Sequence, residues 1–441
     1  MDKELNHWAA RFEPLLDQSV IKQRAQVTVP PLVNLTSMPI DLACKRLEIA
    51  LQTIFHPTTQ CLATLHKLVG IAHAHCVVTY PNVKQFLSGV YAQQSPLPDF
   101  FPPICLTGLG GVGKSKLIEA FRRIQLPDQE IVVDTEHSSF PLIGSWAATI
   151  QARSSPKDVL KVLAGVDDSP ADLIERCRKL GYRDGVPFIF ADEFQFATGT
   201  NSANTRVTQM LFSLGYIGIP FLFAANYSLL YRLQKRPEEE QQRLLSSYIV
   251  LSPDSWNSSD WVDTLKAQCI VAPDFIKLDP DLDAKEFHAY SAGRKRAMAK
   301  LILIAFRNEY ANGGIVDRRA IRIAYESIDY ERFKDQAEIL AAQAIQNRQQ
   351  NNRKDLWCPI PTELTKTQEF LESSRNSRQD NVAKAELEAT LTLNERRNVQ
   401  VISHSNSNIK ESSGKVVSIN NKKLLTADDL KQNMNLYRDN I

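Results

Sequence analysis

Between Ile104 and about Pro253, short runs of wholly apolar residues alternate with stretches whose apolar positions recur every three or four places. The runs are Ile104–Thr107, Ile131–Asp134, Pro187–Asp192, Pro220–Ala225 and Tyr248–Leu251. Runs this short and uniformly apolar fit strands buried on both faces. Their alternation with amphipathic stretches predicts an α/β fold with a five-stranded parallel sheet flanked by helices. One intervening helix carries both its signals. Ser169 is a capping residue, Pro170 suits the first helical position and Asp172 the first turn; Lys179 complements the far end of the dipole and Gly181 is expected to end the helix. Leu173, Ile174, Cys177 and Leu180 form its apolar face.

On either side of this block the pattern is helical. Residues 1–95 read as a mostly helical extension; Ile40–Phe55, for example, places Leu42, Leu47, Ile49, Ala50 and Ile54 near helical spacing. Pro96, Pro98, Pro102 and Pro103 then interrupt the pattern, as a linker into a new domain would. The α/β core is expected over 96–273 and a helical lid over 274–350, with helices at Ala297–Phe306, Arg318–Tyr325 and Glu331–Ala344. Residues 351–441 are rich in Asn, Ser, Gln, Lys and Glu and poor in aromatics, so they are expected to form a polar tail, disordered or ordered by a partner. Leu356–Pro361 and Leu424–Tyr437 are its apolar patches.

Composition changes this picture little. A net charge of +2 over 441 residues neither announces nucleic-acid binding nor opposes a local basic stripe. No apolar run approaches the roughly 20 residues that span a bilayer, and the N-terminus lacks a basic start and apolar block. The expectation is a cytoplasmic protein with no membrane partner. Seven cysteines, an odd number with no CxxC pair, argue against a disulfide framework.

The chemistry begins at Gly108–Ser115, Gly-Leu-Gly-Gly-Val-Gly-Lys-Ser. Gly108, Gly110, Gly111 and Gly113 leave the backbone clear, so its amides can face phosphate oxygens. Leu109, Val112 and Lys116 belong to the same cofactor-binding stretch. Lys114 brings a charge to the β- and γ-phosphates, and Ser115 offers a hydroxyl to Mg²⁺. A strand before the loop and a helix Lys114–Arg122 after it complete the expected context. At ordinary residue frequencies, a chance match in a chain of this length is on the order of a percent.

Four further elements follow. Phe188–Glu193 is an apolar strand ending in Asp192, which can hold Mg²⁺, and Glu193, which can polarise an attacking water. Phe221–Asn226 ends in an amide that can sense a γ-phosphate or position the attacking water, or simply open a turn. Arg243, just before the last strand, can act as an arginine finger in a neighbouring subunit's site; Arg232 and Arg236 compete for that role, and a solvated charged helix is the plain alternative. Arg296 in Gly293–Arg296 can touch nucleotide from the lid, with Arg294 as the alternate.

Together these motifs resemble the AAA+ ATPases over roughly residues 96–345. Within them the layout is similar to the TnsC/TniB transposition regulators, relatives of the bacteriophage Mu B protein. Softer features join in: Arg46, His56-Pro57, the short lid and the Gly313-Gly314-Ile315 turn. The resemblance implies an ATP- and Mg²⁺-dependent homo-oligomer, a ring or filament, that winds on double-stranded DNA in a bacterial nucleoid. It implies a TniQ-type targeting adaptor, in some systems part of an RNA-guided complex, and recruitment of a transposase. The long polar tail departs from minimal members and suggests a TnsA/TnsB-type transposase. A helicase loader or a nucleotide-switched signalling or defence scaffold would share the ATPase site.

Two weaker groups remain. His56, Cys61, His66, His73, His75 and Cys76 are close enough in sequence to suggest zinc, although their spacing fits no standard finger. Arg153, Lys157 and Lys161 could meet DNA in a central pore or be an ordinary solvated surface.

Overall fold

The structure, a computed structural model, describes residues 6–150, 154–167, 169–192, 201–346, 348–350 and 353–360. Its strands are β1 (Ile104–Gly108), β2 (Gln129–Ile131), β3 (Phe140–Leu142), β4 (Trp146–Thr149), β5 (Ile189–Asp192), β6 (Phe221–Ala225) and β7 (Ser247–Leu251). Five of them form one sheet in the order β4-β5-β6-β1-β7, and every neighbouring pair is parallel. With helices packed around it, this is an α/β fold built on a five-stranded parallel sheet, as the alternation of apolar runs predicts. β1 and β6 are buried at every position, which explains why both read as unbroken apolar runs.

One expected strand belongs elsewhere. Ile131–Asp134 is not part of the parallel sheet; β2 ends at Ile131 and pairs antiparallel with β3 in a separate two-stranded ribbon. Gln129 and Glu130 are exposed and Val132 is 68% exposed; Ile131 is buried, Val133 only partly, and the run has no second face to bury. The edge place beside β5 is taken by β4, in register Trp146↔Ile189 to Thr149↔Asp192. Its Trp-Ala-Ala-Thr sequence lacks the run of large apolar residues found in β6 and β7.

Two helix expectations also need correction. The helix capped by Ser169 runs Pro170–Arg183, and Gly181 lies within it rather than ending it. A Cβ at Gly181 would come within 2.5 Å of Ile219, so close packing, not chain termination, calls for glycine there. Helix Ile40–Thr53 buries Ala43, Leu47, Ala50 and Leu51, while Leu42 and Ile49 face solvent.

Helix Thr59–Thr79 corrects a third point: by length and composition it is apolar enough to cross a membrane. Here it packs Cys61, Leu65, Leu68, Val69, Ala72 and Cys76 into the core around the sheet. The same helix disperses the proposed zinc ligands. His66 Nε2 meets the Leu16 carbonyl at 3.0 Å, His75 Nδ1 meets the Thr79 hydroxyl at 3.4 Å, and the two cysteines point into the core. Among the described residues no three His, Cys, Asp or Glu side chains converge to hold a metal.

Two apolar clusters result. The first surrounds the sheet and includes Trp8, Ile21, Leu68, Phe121, Phe190 and Phe223. The second fills the lid with Trp261, Phe287, Leu301, Ile302, Phe306 and Tyr330, and takes in Leu47 and Leu51 from helix Ile40–Thr53. The lid helices run Pro280–Ser291, Lys295–Glu309, Arg318–Tyr325 and Glu331–Gln346. The last of these contributes Ala337 and Leu340 to the sheet cluster, while Phe333 near its start packs on the lid cluster. Beyond it, Leu356 and Ile360 dock on the sheet cluster, and Gln234 Nε2 donates to the Pro359 carbonyl at 3.4 Å.

Candidate nucleotide site

Parallel strands bring their C-terminal ends to one edge, and ligands of open α/β sheets bind there. The order β5-β6-β1 therefore gathers Asp192, Asn226 and the loop after β1 side by side. The loop is closed by β1 pairing Gly108 with Leu251 of β7, and helix Lys114–Ile124 starts directly after Gly113. That helix buries Leu117, Ile118, Ala120, Phe121 and Ile124, which anchors its N-terminal end beneath the loop. Its free amides and dipole make this end a place for phosphate. Leu109 and Val112 are buried supports of the loop, while Gly110 is exposed.

Lys114 Nζ donates to the carbonyls of Gly108 and Leu109 at 2.8 and 3.0 Å, folding the ammonium back over the loop. Ser115 follows in the first turn of the helix. Lys116 pairs with Glu119 at 2.8 Å on the outer face of its own helix. Asp192 ends β5, where its backbone carbonyl accepts from Ile150 at 3.1 Å. Glu193 lies outside the described residues. Asn226 opens helix Tyr227–Leu233, and its carbonyl accepts from Leu229 and Leu230 at 3.0 and 3.3 Å, but its side chain takes no part in the cap.

The lid reaches this loop through one arginine. The Arg296 amide donates to the Gly111 carbonyl at 3.1 Å. Gly111 has φ +86°, and a Cβ there would lie 2.9 Å from the Arg296 side chain, so glycine is needed for the approach. The lid elbow that sets Arg296 is built on the segment after β7: a Cβ at Gly293 would meet Pro253 at 2.8 Å, and Lys295 pairs with Asp254 at 3.3 Å. His288 lies behind this elbow, stacked edge-on against Trp261 at 5.3 Å, with Nε2 3.0 Å from the Asp254 carbonyl. Burial holds its pKa down to about 4, outweighing that hydrogen bond, so the ring is neutral and the Nε2–H donates.

The alternate, Arg294, is only 3% exposed. Its guanidinium donates to the carbonyls of Ser291 and Phe333 at 3.0 and 3.1 Å and to Gln336. It is committed to holding the lid together, which leaves Arg296 as the residue at the loop. Of the candidate fingers, Arg236 pairs with Glu240 at 2.8 Å, and Arg243 lies over the Phe100 ring at 4.3 Å. Lys157 and Lys161 share Asp167 at 3.1 and 2.6 Å, and Arg153 lies outside the described residues.

The donor set suits a nucleotide with Mg²⁺: backbone amides and Lys114 for phosphate, a hydroxyl and a carboxylate for the metal, and Arg296 beside the loop. The Gly111–Arg296 contact is what sequence spacing could not supply, because the two residues come from distant parts of the chain. The aromatic surroundings of Arg243 were equally hidden: Phe100, Phe212 and Tyr216 carry no periodic signal that links them to it.

No protein-family model matches the chain, and no curated protein matches it. Solved structures similar to it include the ORC1 protein of Aeropyrum pernix in complex with DNA, at 16% identity over 70% of this chain and 76% of that one, with a TM-score of 0.37. Domain III of the Thermotoga maritima replication initiation protein DnaA matches at 15% identity over 55% and 88%, with a TM-score of 0.33. PCH-2 of C. elegans matches at 11% identity over 64% and 71%, with a TM-score of 0.35. With scores this low, strand order and loop geometry define the fold.

Proposed function

We propose that this protein is an Mg²⁺-dependent ATPase that assembles on double-stranded DNA and regulates transposition. The observation that carries the ATPase reading is the phosphate loop at Gly108–Ser115 with lid residue Arg296 bonded to Gly111 at 3.1 Å. A lid that touches the loop can report whether phosphate is present there, which couples nucleotide to the posture of the lid.

In this reading the loop amides and Lys114 bind the β- and γ-phosphates, and Ser115 and Asp192 hold Mg²⁺. The metal, when bound, spreads the charge that develops on the phosphate oxygens. Glu193 accepts the proton of the attacking water, Asn226 orients that water, and Arg296 fixes the γ-phosphate from the lid. Arg243 of a neighbouring copy adds positive charge to the transition state.

The DNA and transposition parts rest on the chain's layout, which resembles the TnsC/TniB regulators. The proposed partners are duplex DNA, further copies of this chain, a TniQ-type adaptor and a TnsA/TnsB-type transposase that meets the polar tail. The proposed setting is the bacterial cytoplasm, at the nucleoid. The ORC1 neighbour was solved with DNA, and this adds nothing beyond the fold. Electron microscopy of the full chain with a non-hydrolysable ATP analogue and duplex DNA tests the reading. A helical array along DNA is expected, with steady-state ATP turnover abolished by Asp192→Asn. Discrete DNA-free particles with turnover indifferent to DNA would overturn the DNA role; turnover that survives Asp192→Asn would overturn the site.

A further inference from the structure

The proline-rich stretch around Pro96–Pro103 reads as a linker, yet its backbone is bonded to the body of the protein. Arg178, 8% exposed, donates Nη1 to the carbonyls of Pro98 and Tyr216 at 2.8 and 3.0 Å and Nη2 to the Leu97 carbonyl at 2.6 Å. This buried cation satisfies two carbonyls that a free linker would show to water and ties them to the Tyr216 carbonyl, with the Asp99 and Glu175 carboxylates each 3.5 Å away. The Phe101 amide then donates to the Gly215 carbonyl at 2.9 Å. Phe100 lies against Gly215 so closely that a Cβ there would be 2.5 Å from the ring. The segment is a brace, and what it delivers is the Phe100 ring.

That ring joins two others. Phe100 sits 6.1 Å from Phe212 and 5.3 Å from Tyr216, centroid to centroid. The Arg243 guanidinium stands over all three, with Cζ at 4.3, 5.2 and 5.8 Å from Phe100, Phe212 and Tyr216. Arg243 is exposed, on the short helix Glu238–Leu244, and borders an open groove of about 620 Å³ lined also by Ser155, Lys157 and Gln209. Its neighbour Arg236 is neutralised by Glu240 at 2.8 Å. Aromatic faces attract a guanidinium without cancelling its charge. An arginine that must act outside its own subunit needs this combination: a restricted side chain with its positive charge intact.

We infer that Phe100, Phe212 and Tyr216 are positioning residues that hold Arg243 ready for the nucleotide of a neighbouring copy. The inference rests on the proposed trans role of Arg243. Holding the guanidinium in place removes rotamer entropy before the transition state is reached, so its loss lowers kcat and leaves ATP binding in the copy's own loop untouched.

The test is steady-state ATP turnover by the full chain with Mg²⁺ and duplex DNA. Arg243→Ala is expected to abolish most turnover. Phe100→Leu/Tyr216→Leu keeps apolar volume but removes two π-faces, and is expected to lower kcat about fivefold with KM for ATP within about twofold. Phe100→Tyr/Tyr216→Phe, which keeps both faces, is expected to turn over as the parent does. Wild-type kcat in the double Leu variant, with Arg243→Ala inactive, overturns the inference and spares the trans role. Full turnover by Arg243→Ala overturns both. If the double Leu variant melts early, Tyr216→Leu decides alone, because Tyr216 is 40% exposed and its loss spares the core. A lower kcat at unchanged KM supports the inference, and an unchanged kcat overturns it.

Discussion

The sheet and the lid each enclose an apolar cluster, but they recruit the chain differently. The sheet cluster takes strands and helices from the middle of the sequence and adds the N-terminal helix Thr59–Thr79. The lid cluster is mostly consecutive in sequence, apart from helix Ile40–Thr53, which leaves its N-terminal neighbours to join it. The chain therefore crosses from lid to sheet within the few residues between these two helices. There Phe55 and Val27 exchange backbone hydrogen bonds at 2.9 and 3.1 Å, and the Thr59 amide donates to Asp260 at 3.0 Å. The difference teaches where the lid is tied to the sheet. Helix Glu331–Gln346 contributes to both clusters, and polar ties such as Arg296 to Gly111 and Thr59 to Asp260 join them near the phosphate loop and the crossing.

The largest effect expected on this comparison is local loss of the lid. Leu301 is fully buried in the lid cluster, and Leu301→Ala should cost about 3 kcal/mol. Hydrogen exchange should rise through residues 280–330 while β1 and β6 stay protected. An equal rise in the strands would merge the two clusters into one cooperative unit.

Acid should act on the same body. His288 has a native pKa of about 4 against 6.5 for a free side chain, so below 6.5 the unfolded state binds more protons than the native state. Stability is complete above about pH 6.5 and is lost as pH falls towards 4, by on the order of 3 kcal/mol. Thermal melts across this range should show the loss, and His288→Gln should flatten it. A profile unchanged in His288→Gln would assign the acid sensitivity elsewhere.

At the loop, Lys114→Ala should weaken a fluorescent ATP analogue about 30-fold and leave the melting temperature without nucleotide unchanged. Binding titrations and melts together check this, and retained affinity would remove Lys114 from the site.

The smallest effect separates two neighbouring arginines. Arg294→Ala should destabilise the lid by about 2 kcal/mol, because one buried and two half-buried acceptors lose their donor. Arg296→Ala should leave stability within about 0.5 kcal/mol and weaken nucleotide roughly tenfold. The reverse pattern in melts and titrations would exchange their roles.

Much of the site was legible before the fold. Gly108–Ser115 announces itself because close approach of backbone to phosphate demands glycine at set places, and an apolar run ending in Asp192 is a local pattern. Strands such as β1 and β6, buried at every position, read as continuous apolar runs, and β7 is apolar in sequence although only Leu251 is buried, so four of the five sheet members were visible. Trp146–Thr149 was not, since an edge strand of small residues has no distinctive pattern, and Ile131–Asp134 was assigned to the sheet although only Ile131 is buried.

What the sequence by itself determined is the local chemistry: a loop that can cradle phosphate, helices with their caps, and strands apolar enough to fill a core. Tertiary structure alone decided which residues from distant segments meet. It set Arg296 against Gly111, bound Arg294 into the lid, turned a proline-rich linker into the brace that carries Phe100, and laid Arg243 over three rings. These choices depend on packing between segments far apart in the chain, and no periodicity along a single segment records them.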